Sequence, residues 1–352
     1  MPVHDYYSER AKELFKLSDN NKLAALEGEY KRTNDKEKKK QLRQKIKEAL
    51  DRCSKELQPL EDNGTTVLID GLAVDCMIWV RGELPCEDDA RKWYISHVQN
   101  LSYNLPDELS LDNLPAVLLP GWIALSVNFT LETSWYSKDE RPLHVLDNPL
   151  RKDRVFGVPY MSAMSWKGLL RWACRMQQGL LKHLEEHKMS MDGWNDEPWI
   201  RHLFGNERRA DEFSRGALVV YPTWFSKIKF EVINPHSRQT RAGTKPIYYE
   251  VVPDGTPGVL RILYAPLPGQ VERDRVEPRD VLANLLDAVE SLLTCYGFSA
   301  KRTAGWGKAK IEKWHGTGFN QPPVENGTIQ EFKERLGALL VQSGQPEGSV
   351  NK

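Results

Sequence analysis

The sequence predicts an α+β fold on three observations. A strand-like run, Trp122 to Trp135 (WIALSVNFTLETSW), is followed by a helical stretch from Ser165 to about Glu186. Short apolar runs then recur at Ala217–Tyr221, Lys227–Val232, Ile247–Val252 and Val259–Tyr264, each bounded by polar or glycine-bearing loops. Last, Arg279 to Leu293 carries apolar residues at helical spacing and leads into Lys308–Trp314, which alternates like a strand. The order strand, helix, strands, strand, helix, strand is that of a ferredoxin-like (RRM-like) βαββαβ core with insertions.

Each element has its local reason. From Ser8 to about Leu60, Ala, Leu, Glu, Lys and Gln dominate and no proline occurs before Pro59, which reads as an N-terminal helical extension. Within it, Lys31–Glu56 holds eleven Lys/Arg against five Asp/Glu, with Leu42, Ile46 and Leu50 as a thin apolar stripe, the pattern of a charged hairpin. Such a run is either a solvated helical face or a nucleic-acid-facing or partner-facing arm. Val67–Val80 is apolar and β-branched enough for a buried strand or strand pair broken near Gly71, with Asp70 and Asp75 partly enclosed. Glu83–Pro120, rich in Asp, Asn and Pro, reads as a connector with brief helices. The polar loop Tyr136–Asp153 follows the first core strand, and a short helix near Ile329–Val341 precedes a polar tail. The resulting organisation is a charged arm over 1–65, a strand-containing connector over 66–120, a core over 121–315, and a C-terminal helix and tail over 316–352.

Composition narrows the function classes. With 352 residues there is room for one large domain or two ordinary ones, and 49 Lys+Arg balance 49 Asp+Glu, so any polyanion surface must come from local segregation of charge. Cys53, Cys76, Cys86, Cys174 and Cys295 form no CxxC pair, which argues against a zinc ribbon or a disulfide framework and for a reducing compartment. No apolar run is long enough to span a bilayer, and the N-terminus lacks an apolar signal core, so the expectation is a soluble, cytoplasmic protein with no membrane partner.

Two segments carry candidate chemistry. Val158–Trp172 (VPYMSAMSWKGLLRW) joins an apolar entry, a small-residue turn at Ser162, Ala163 and Ser165, and a helix with Lys167 and Arg171 at i and i+4 on one face. Two cations so placed suit a phosphate-bearing polyanion; the alternative is an ordinary helix start with a solvated basic edge. The second segment, Gly297–Trp314 (GFSAKRTAGWGKAKIEKW), sets Gly297, Gly305 and Gly307 among Lys301, Arg302, Lys308 and Lys310. Glycines admit close backbone approach by an anion and the cations attract it. Neither GxxxxGK[ST] nor a strand-borne GxGxxG is present, so no nucleotide cofactor is expected.

Taken together, the corner and the glycine-rich segment resemble the RAMP (repeat-associated mysterious protein) superfamily of CRISPR systems, and within it the backbone subunits of type III effector complexes. The family pairs an apolar-Pro-Gly-Ser-Ser-x-Lys-Gly-x-x-Arg corner with a C-terminal glycine-rich loop. Here Lys167, Gly168 and Arg171 match, while Ser162-Ala163 stands where the family has Pro-Gly. HLFG at His202–Gly205 and GALVVY at Gly216–Tyr221 are similar to elements after that helix, with Tyr221 at the usual Asp. RAGTKPIYYEVVP at Arg241–Pro253, before Gly255-Thr256, is similar to the Glu-x-Val-Pro-x-Gly strand entry, and Ile233-Asn234-Pro235-His236 resembles a branch that caps type III complexes. The resemblance runs from about Trp122 to Trp314.

The resemblance implies guide (CRISPR) RNA binding through Ser165, Lys167, Arg171, Arg151, Lys301, Arg302, Gly305, Trp306, Gly307 and Lys308, in an antiviral ribonucleoprotein whose partners are guide RNA, complementary target RNA and other effector subunits. It also implies endoribonuclease activity at an aspartate in a Val-x-Asp-x-Pro-x-x-Arg context, matched here by Val145-Leu146-Asp147-Asn148-Pro149-Leu150-Arg151. Asp147 would orient proton transfer or hold a divalent metal (Mg or Mn), with His144 or Arg151 nearby, while the 2′-hydroxyl is brought in line with the scissile phosphate. Asp147 before Asn148-Pro149 is equally a good turn former. The remaining readings are a non-catalytic end-cap of the same complex, a free-standing guide-processing ribonuclease using His144, and a helical scaffold. His183, His187 and His202 could in principle share a metal, although no HExxH is present and HLEEH reads more simply as a solvated helix end. Of the tryptophans, Trp166, Trp172, Trp194, Trp199 and Trp224 suit a core, and Trp306 between two glycines is the candidate base-stacking ring.

Overall fold

The structure, a computed structural model, describes residues 22–56, 87–99, 118–140, 144–153, 157–206, 213–234 and 246–340. In chain order the elements are α1 (Lys22–Arg32), α2 (Lys36–Glu56), α3 (Glu87–Val98), β1 (Ile123–Leu131), β2 (Tyr160–Met161), α4 (Ala163–Gln177), α5 (Leu180–Glu186), α6 (Pro198–Phe204), β3 (Leu218–Val220), β4 (Thr223–Trp224), β5 (Lys229–Ile233), β6 (Ile247–Val251), β7 (Pro257–Tyr264), α7 (Gln270–Asp274), α8 (Pro278–Ser291), β8 (Ala309–Gly318), β9 (Val324–Asn326) and α9 (Ile329–Leu340). They sort into two compact units interleaved along the sequence. One takes its described residues from Met1–Asn104, Lys138–Pro159 and Ser226–Val252, and the other from Leu105–Ser137, Tyr160–Phe225 and Pro253–Lys352.

The larger unit is built on an antiparallel sheet of order β3-β7-β1-β8-β9. β1 lies at its centre because Ile123, Leu125, Val127, Phe129 and Leu131 are all buried along one face. Its register runs from Ile123↔Tyr264 at one end to Leu131↔Ala309 at the other, with a bulge between Asn128 and Phe129. The chain leaves β1 through α4 and returns at β3, skipping the place that β7 fills. It leaves β7 through α8 and returns at β8 on the far side of β1. Two interleaved strand–helix–strand crossovers therefore make the sheet.

Beneath α4 and α8 lies an aromatic layer. The rings of Trp166 and Phe298 stack at 4.8 Å, Phe129 meets Phe298 edge-on at 5.3 Å, and Trp135 lies 4.9 Å from Phe225. Gly258 admits this packing, since a Cβ there would come within 2.4 Å of the Phe129 ring. The opposite sheet face is covered by a smaller cluster of Leu118, Ala124, Leu263 and Ala265, with Trp122, Val219 and Tyr221 at its edge. Helix α9 closes over β8, where a Cβ on Gly318 would lie 2.2 Å from the Leu339 carbonyl oxygen.

The helix expected from Ser165 to Glu186 is two helices. Ser162 caps the first, accepting a hydrogen bond from the Ser165 amide at 3.1 Å, so α4 begins at Ala163. Gly179, at φ +96°, ends it and starts α5. The expected Arg279–Leu293 helix is α8, which runs on into a π-helical turn over Leu292–Tyr296.

In the smaller unit the charged arm is a hairpin of α1 and α2. Asp35 caps α2 through the Glu37 amide at 2.9 Å, Leu42 and Ile46 are buried, and Lys38 pairs with Glu29 at 2.9 Å. β5 and β6 form an antiparallel ribbon from Lys229↔Val251 to Ile233↔Ile247. The expected strand over Val67–Val80, the ends of the expected arm helix (Ser8 to Asn21 and Leu57 to Leu60) and the Pro235-His236 part of the cap-like run lie outside the described residues. No described helix is long and apolar enough to cross a membrane.

Candidate nucleic-acid interface

In the larger unit, the corner helix and the glycine-rich segment are neighbours. The Arg302 guanidinium lies 4.3 Å over the Trp172 ring, and Trp172 in turn meets Tyr296 edge-on at 4.9 Å. This cation–π contact belongs to the pair of segments singled out in the sequence, because Trp172 follows Arg171 on α4. The buried Trp166–Phe298 stack also joins the two segments, with packed aromatic rings between α4 and the start of the glycine-rich segment.

The glycine-rich segment is held by its backbone. The Gly307 amide donates to the Ser134 carbonyl at 2.9 Å, the Phe298 amide to the Gly307 carbonyl at 3.0 Å, and the Lys308 amide to Thr133 Oγ1 at 2.9 Å. Gly307, at φ +80°, has no room for a side chain, since a Cβ would lie 2.5 Å from the Ser299 amide. Gly305, also left-handed at φ +82°, closes the 3₁₀ turn over Arg302–Ala304. Trp306 is half-buried and meets Tyr136 edge-on at 6.3 Å. Lys301, Arg302 and Lys308 are all half-exposed at this loop. Burial holds the Arg302 guanidinium below its ordinary pKa.

The two corner cations are engaged within the fold. Lys167 Nζ donates to the Leu218 carbonyl at 3.3 Å, and burial, then the nearby Arg171 and Arg215 charges, lower its pKa. Arg171 donates to Asp196 Oδ2 from Nε at 3.0 Å and from Nη2 at 2.7 Å, and Arg175 donates to the same carboxylate at 2.6 and 2.9 Å. Trp194 Nε1 adds a further bond at 2.9 Å. Burial alone would raise the Asp196 carboxyl, but hydrogen bonds from Arg175, Trp194 and Arg171 pull it down to about 2. The stripe read from the sequence thus extends to Arg175, and its C-terminal half fastens α4 to the loop before α6. Arg175 was legible at i+4 from Arg171; Asp196, far along the chain in a loop, was not.

Asp147 belongs to the smaller unit. Its side chain is 78% exposed, and Arg91 Nη2 lies 3.6 Å from Oδ2. Three residues earlier, His144 Nδ1 accepts from the Leu146 amide at 3.0 Å, so the proton of the neutral ring sits on Nε2. The loop is anchored from below by Glu250, fully buried, which accepts from Tyr94 Oη at 2.8 Å, the Leu150 amide at 2.9 Å and Lys152 Nζ at 2.6 Å. Asn148 is pinned as well, accepting from the Glu250 amide at 3.1 Å through its carbonyl. Arg151, half-exposed, follows Leu150 on the same loop. Among the described residues no group of three His, Cys, Asp or Glu side chains is disposed to hold a metal. Asp147 offers one carboxylate, so a magnesium ion there would take the rest of its shell from water or other oxygens.

Of the three histidines considered as a metal set, two lie together and the third is engaged by other residues. His183 and His187 stack on each other at 4.1 Å. His202 is buried and bonded through both ring nitrogens, to Asp274 at 2.7 Å and to Tyr264 Oη at 2.9 Å. Trp166 is core, with its Nε1 bonded to Thr223 at 3.0 Å.

Three solved structures give partial matches to this chain. A chain of the type III-B Cmr-beta complex bound to cognate target RNA is 15% identical over 81% of this chain and 78% of its own, at a TM-score of 0.39. A chain of the Csm3-Csm4 subcomplex of the type III-A CRISPR-Cas interference complex is 16% identical over 65% of this chain and 100% of its own, at 0.38. A chain of a type IV-B CRISPR complex is 14% identical over 53% and 90%, at 0.35. No curated protein sequence matches. The sequence profile of the RAMP superfamily matches residues 79–310, which include the corner, the HLFG element, the Asp147 loop and the glycine-rich segment almost to its end. With that match over more than half its length, the chain belongs to the RAMP superfamily.

Proposed function

We propose that this chain is a guide-RNA-binding backbone subunit of a type III CRISPR ribonucleoprotein. Membership of the superfamily implies a ferredoxin-like core, and the sheet order supports reading β1, β3, β7 and β8 as its four strands. The observation that carries the RNA-binding half is the Arg302–Trp172 contact, which joins the two family motifs into one cationic rim. Lys301, Arg302 and Lys308 would take phosphates and the half-exposed face of Trp306 a base, Gly305 would let the strand approach the backbone, and buried Gly307 would hold the loop's shape. Ser165, Lys167 and Arg171 would then serve the interface mainly by fixing α4. Co-expressing the chain with guide RNA and the other effector subunits tests this. Lys301→Glu/Arg302→Glu should lose RNA retention, and retention equal to wild type would overturn the reading.

The catalytic half rests on Asp147, exposed on a loop whose base is locked by Glu250. Pairing to the guide would splay a target nucleotide there, and in-line placement of its 2′-hydroxyl would supply much of the rate. Asp147 would orient the proton leaving that hydroxyl, with Mg or Mn, if required, filling its shell from the RNA. Asp147→Ala in the assembled complex should cut target cleavage by about a hundredfold or more while RNA retention stays. The Arg91–Asp147 pairing favours a second reading, a non-cleaving end-cap in which this loop is structural. Cleavage persisting at every site in the Asp147→Ala complex selects that reading.

A further inference from the structure

A cavity of ≈ 490 Å³ opens in the larger unit between α6, α7 and the residues before β3. Among the described residues, Arg201, Arg273 and Arg275 line it, with Asp274 as the one acidic residue. That carboxylate is committed: Oδ1 accepts from Arg273 Nε at 2.9 Å and Oδ2 meets His202 Nδ1 at 2.7 Å. Arg273 is held further by Nη2 to Ser214 Oγ at 3.0 Å. Among the described residues, the carboxylate of Asp274 pairs with His202 and Arg273, and neither Arg201 nor Arg275 has a carboxylate partner. Arg275 also sits at φ +53°, a left-handed position where a residue with a side chain is strained. On the same wall Phe213 is 61% exposed, an aromatic ring presented to solvent beside the arginines.

The HLFG element packs closely against the residues before β3. Gly205 bridges to Arg215, and a Cβ on Gly205 would lie 2.5 Å from the Ser214 carbonyl oxygen, while one on Gly216 would lie 2.4 Å from that of Leu203. Buried Gln270 ties α7 to the residues before β3, donating to the Arg215 carbonyl at 2.9 Å. The cavity lies at the end of the sheet where Ile123 pairs with Tyr264, whereas the glycine-rich segment lies where Leu131 pairs with Ala309. Along β1 that separation is about 26 Å, so the two features are distinct sites.

We propose that this cavity is a second anion-binding site that takes one nucleotide, with its phosphate on Arg201 and Arg275 and its base against Phe213. Guanidiniums in this setting bind phosphate bidentately, the cavity volume suits a small ligand, and an exposed phenyl ring stacks on any base. The nucleotide can be free or belong to an RNA strand; the chemistry is the same. The inference stands on the cavity and does not rest on the guide-RNA reading.

The test is a titration of the purified full chain with adenosine monophosphate, adenosine, inorganic phosphate and a short single-stranded RNA. Adenosine monophosphate should saturate, and adenosine should bind at least about tenfold more weakly. Arg201→Ala/Arg275→Ala should weaken the monophosphate about tenfold or more, and Phe213→Ala should weaken the monophosphate but not phosphate. Lys182→Glu, an exposed charge reversal outside the cavity, should leave monophosphate binding unchanged. RNA bound more tightly than the monophosphate, with the excess lost in the double alanine variant, identifies a strand as the source; equal or weaker RNA binding identifies the free nucleotide. All three substituted side chains are exposed, so thermal unfolding should be unchanged; if the alanine pair unfolds, Arg201→Lys/Arg275→Lys should still weaken the monophosphate by loss of the bidentate geometry. No saturation by either ligand in the millimolar range, or equal affinity in wild type and pocket variants, would overturn the proposal.

Discussion

Glu250 holds three donors with one carboxylate, and its burial sets what a substitution there does. Tyr94 Oη, the Leu150 amide and Lys152 Nζ all end on it, and neither Lys152 nor Glu250 reaches solvent. Removing one partner of a buried pair strands the other charge, at about 3–5 kcal/mol. Glu250→Ala should therefore lower the unfolding free energy by that order, read from denaturant titration, and adding Lys152→Met should recover much of it; a single variant as stable as wild type would contradict the reading. Because Leu150 is three residues from Asp147, the same variant should also loosen the Asp147 loop, read as faster amide hydrogen exchange at Leu150. The resemblance pointed to Glu250 as part of a strand-entry motif, and the structure supplies its physical reason.

At the scale of elements, two tethers define how α4 and the glycine-rich segment sit. Asp196 fastens α4 through Arg171 and Arg175. Its carboxyl is lower in the folded chain, at about 2, than the usual 3.8, so the native state binds fewer protons than the unfolded chain as pH falls. The stabilisation is complete above the unfolded value near 3.9 and is lost as pH drops through the folded value, on the order of 2 kcal/mol in all. Wild type should thus lose stability between about pH 4 and pH 2 more steeply than Asp196→Asn, whose curve should be flatter in that window. Denaturant midpoints measured across that range check it. The glycine-rich segment depends instead on backbone shape: Gly307→Ala places a Cβ 2.5 Å from the Ser299 amide at φ +80°. It should cost more than about 1 kcal/mol and weaken RNA binding even though no charge changes. Gly327→Ala, which meets nothing within 4 Å, is the matched control.

For the whole molecule, electrical neutrality makes polyanion binding a matter of placement. With 49 basic and 49 acidic residues there is no net attraction, so affinity for RNA should come from a few local phosphate contacts and fall with added salt. For single-stranded RNA the slope of log affinity against log salt is about −0.7 per neutralised phosphate, so Lys301→Ala/Arg302→Ala should make it shallower by about 1.4. Lys167→Ala should act differently, lowering stability through its lost bond to the Leu218 carbonyl more than it changes the salt slope. Measuring slope and melting temperature on the same variants separates a phosphate contact from a structural cation.

What the sequence determined by itself was whatever is local or periodic. Alternation gave β1 and β8, the helical period gave α8 and α9, and alanine-, leucine- and lysine-rich composition gave the arm. The two motif segments were also legible, because small residues and cations cluster within short windows there. Element ends were less so: the helix expected from Ser165 starts at Ala163 behind the Ser162 cap, and Gly179 split it through its left-handed backbone. Only the tertiary structure decided which cations are available. A lysine or arginine in sequence carries no record of the carboxylate that a distant loop will bring to it, so the engagement of Arg171 by Asp196 emerged only on folding. The same holds for Arg201 and Arg275, far apart in the chain, which share a cavity because α6 and α7 pack at one end of the sheet.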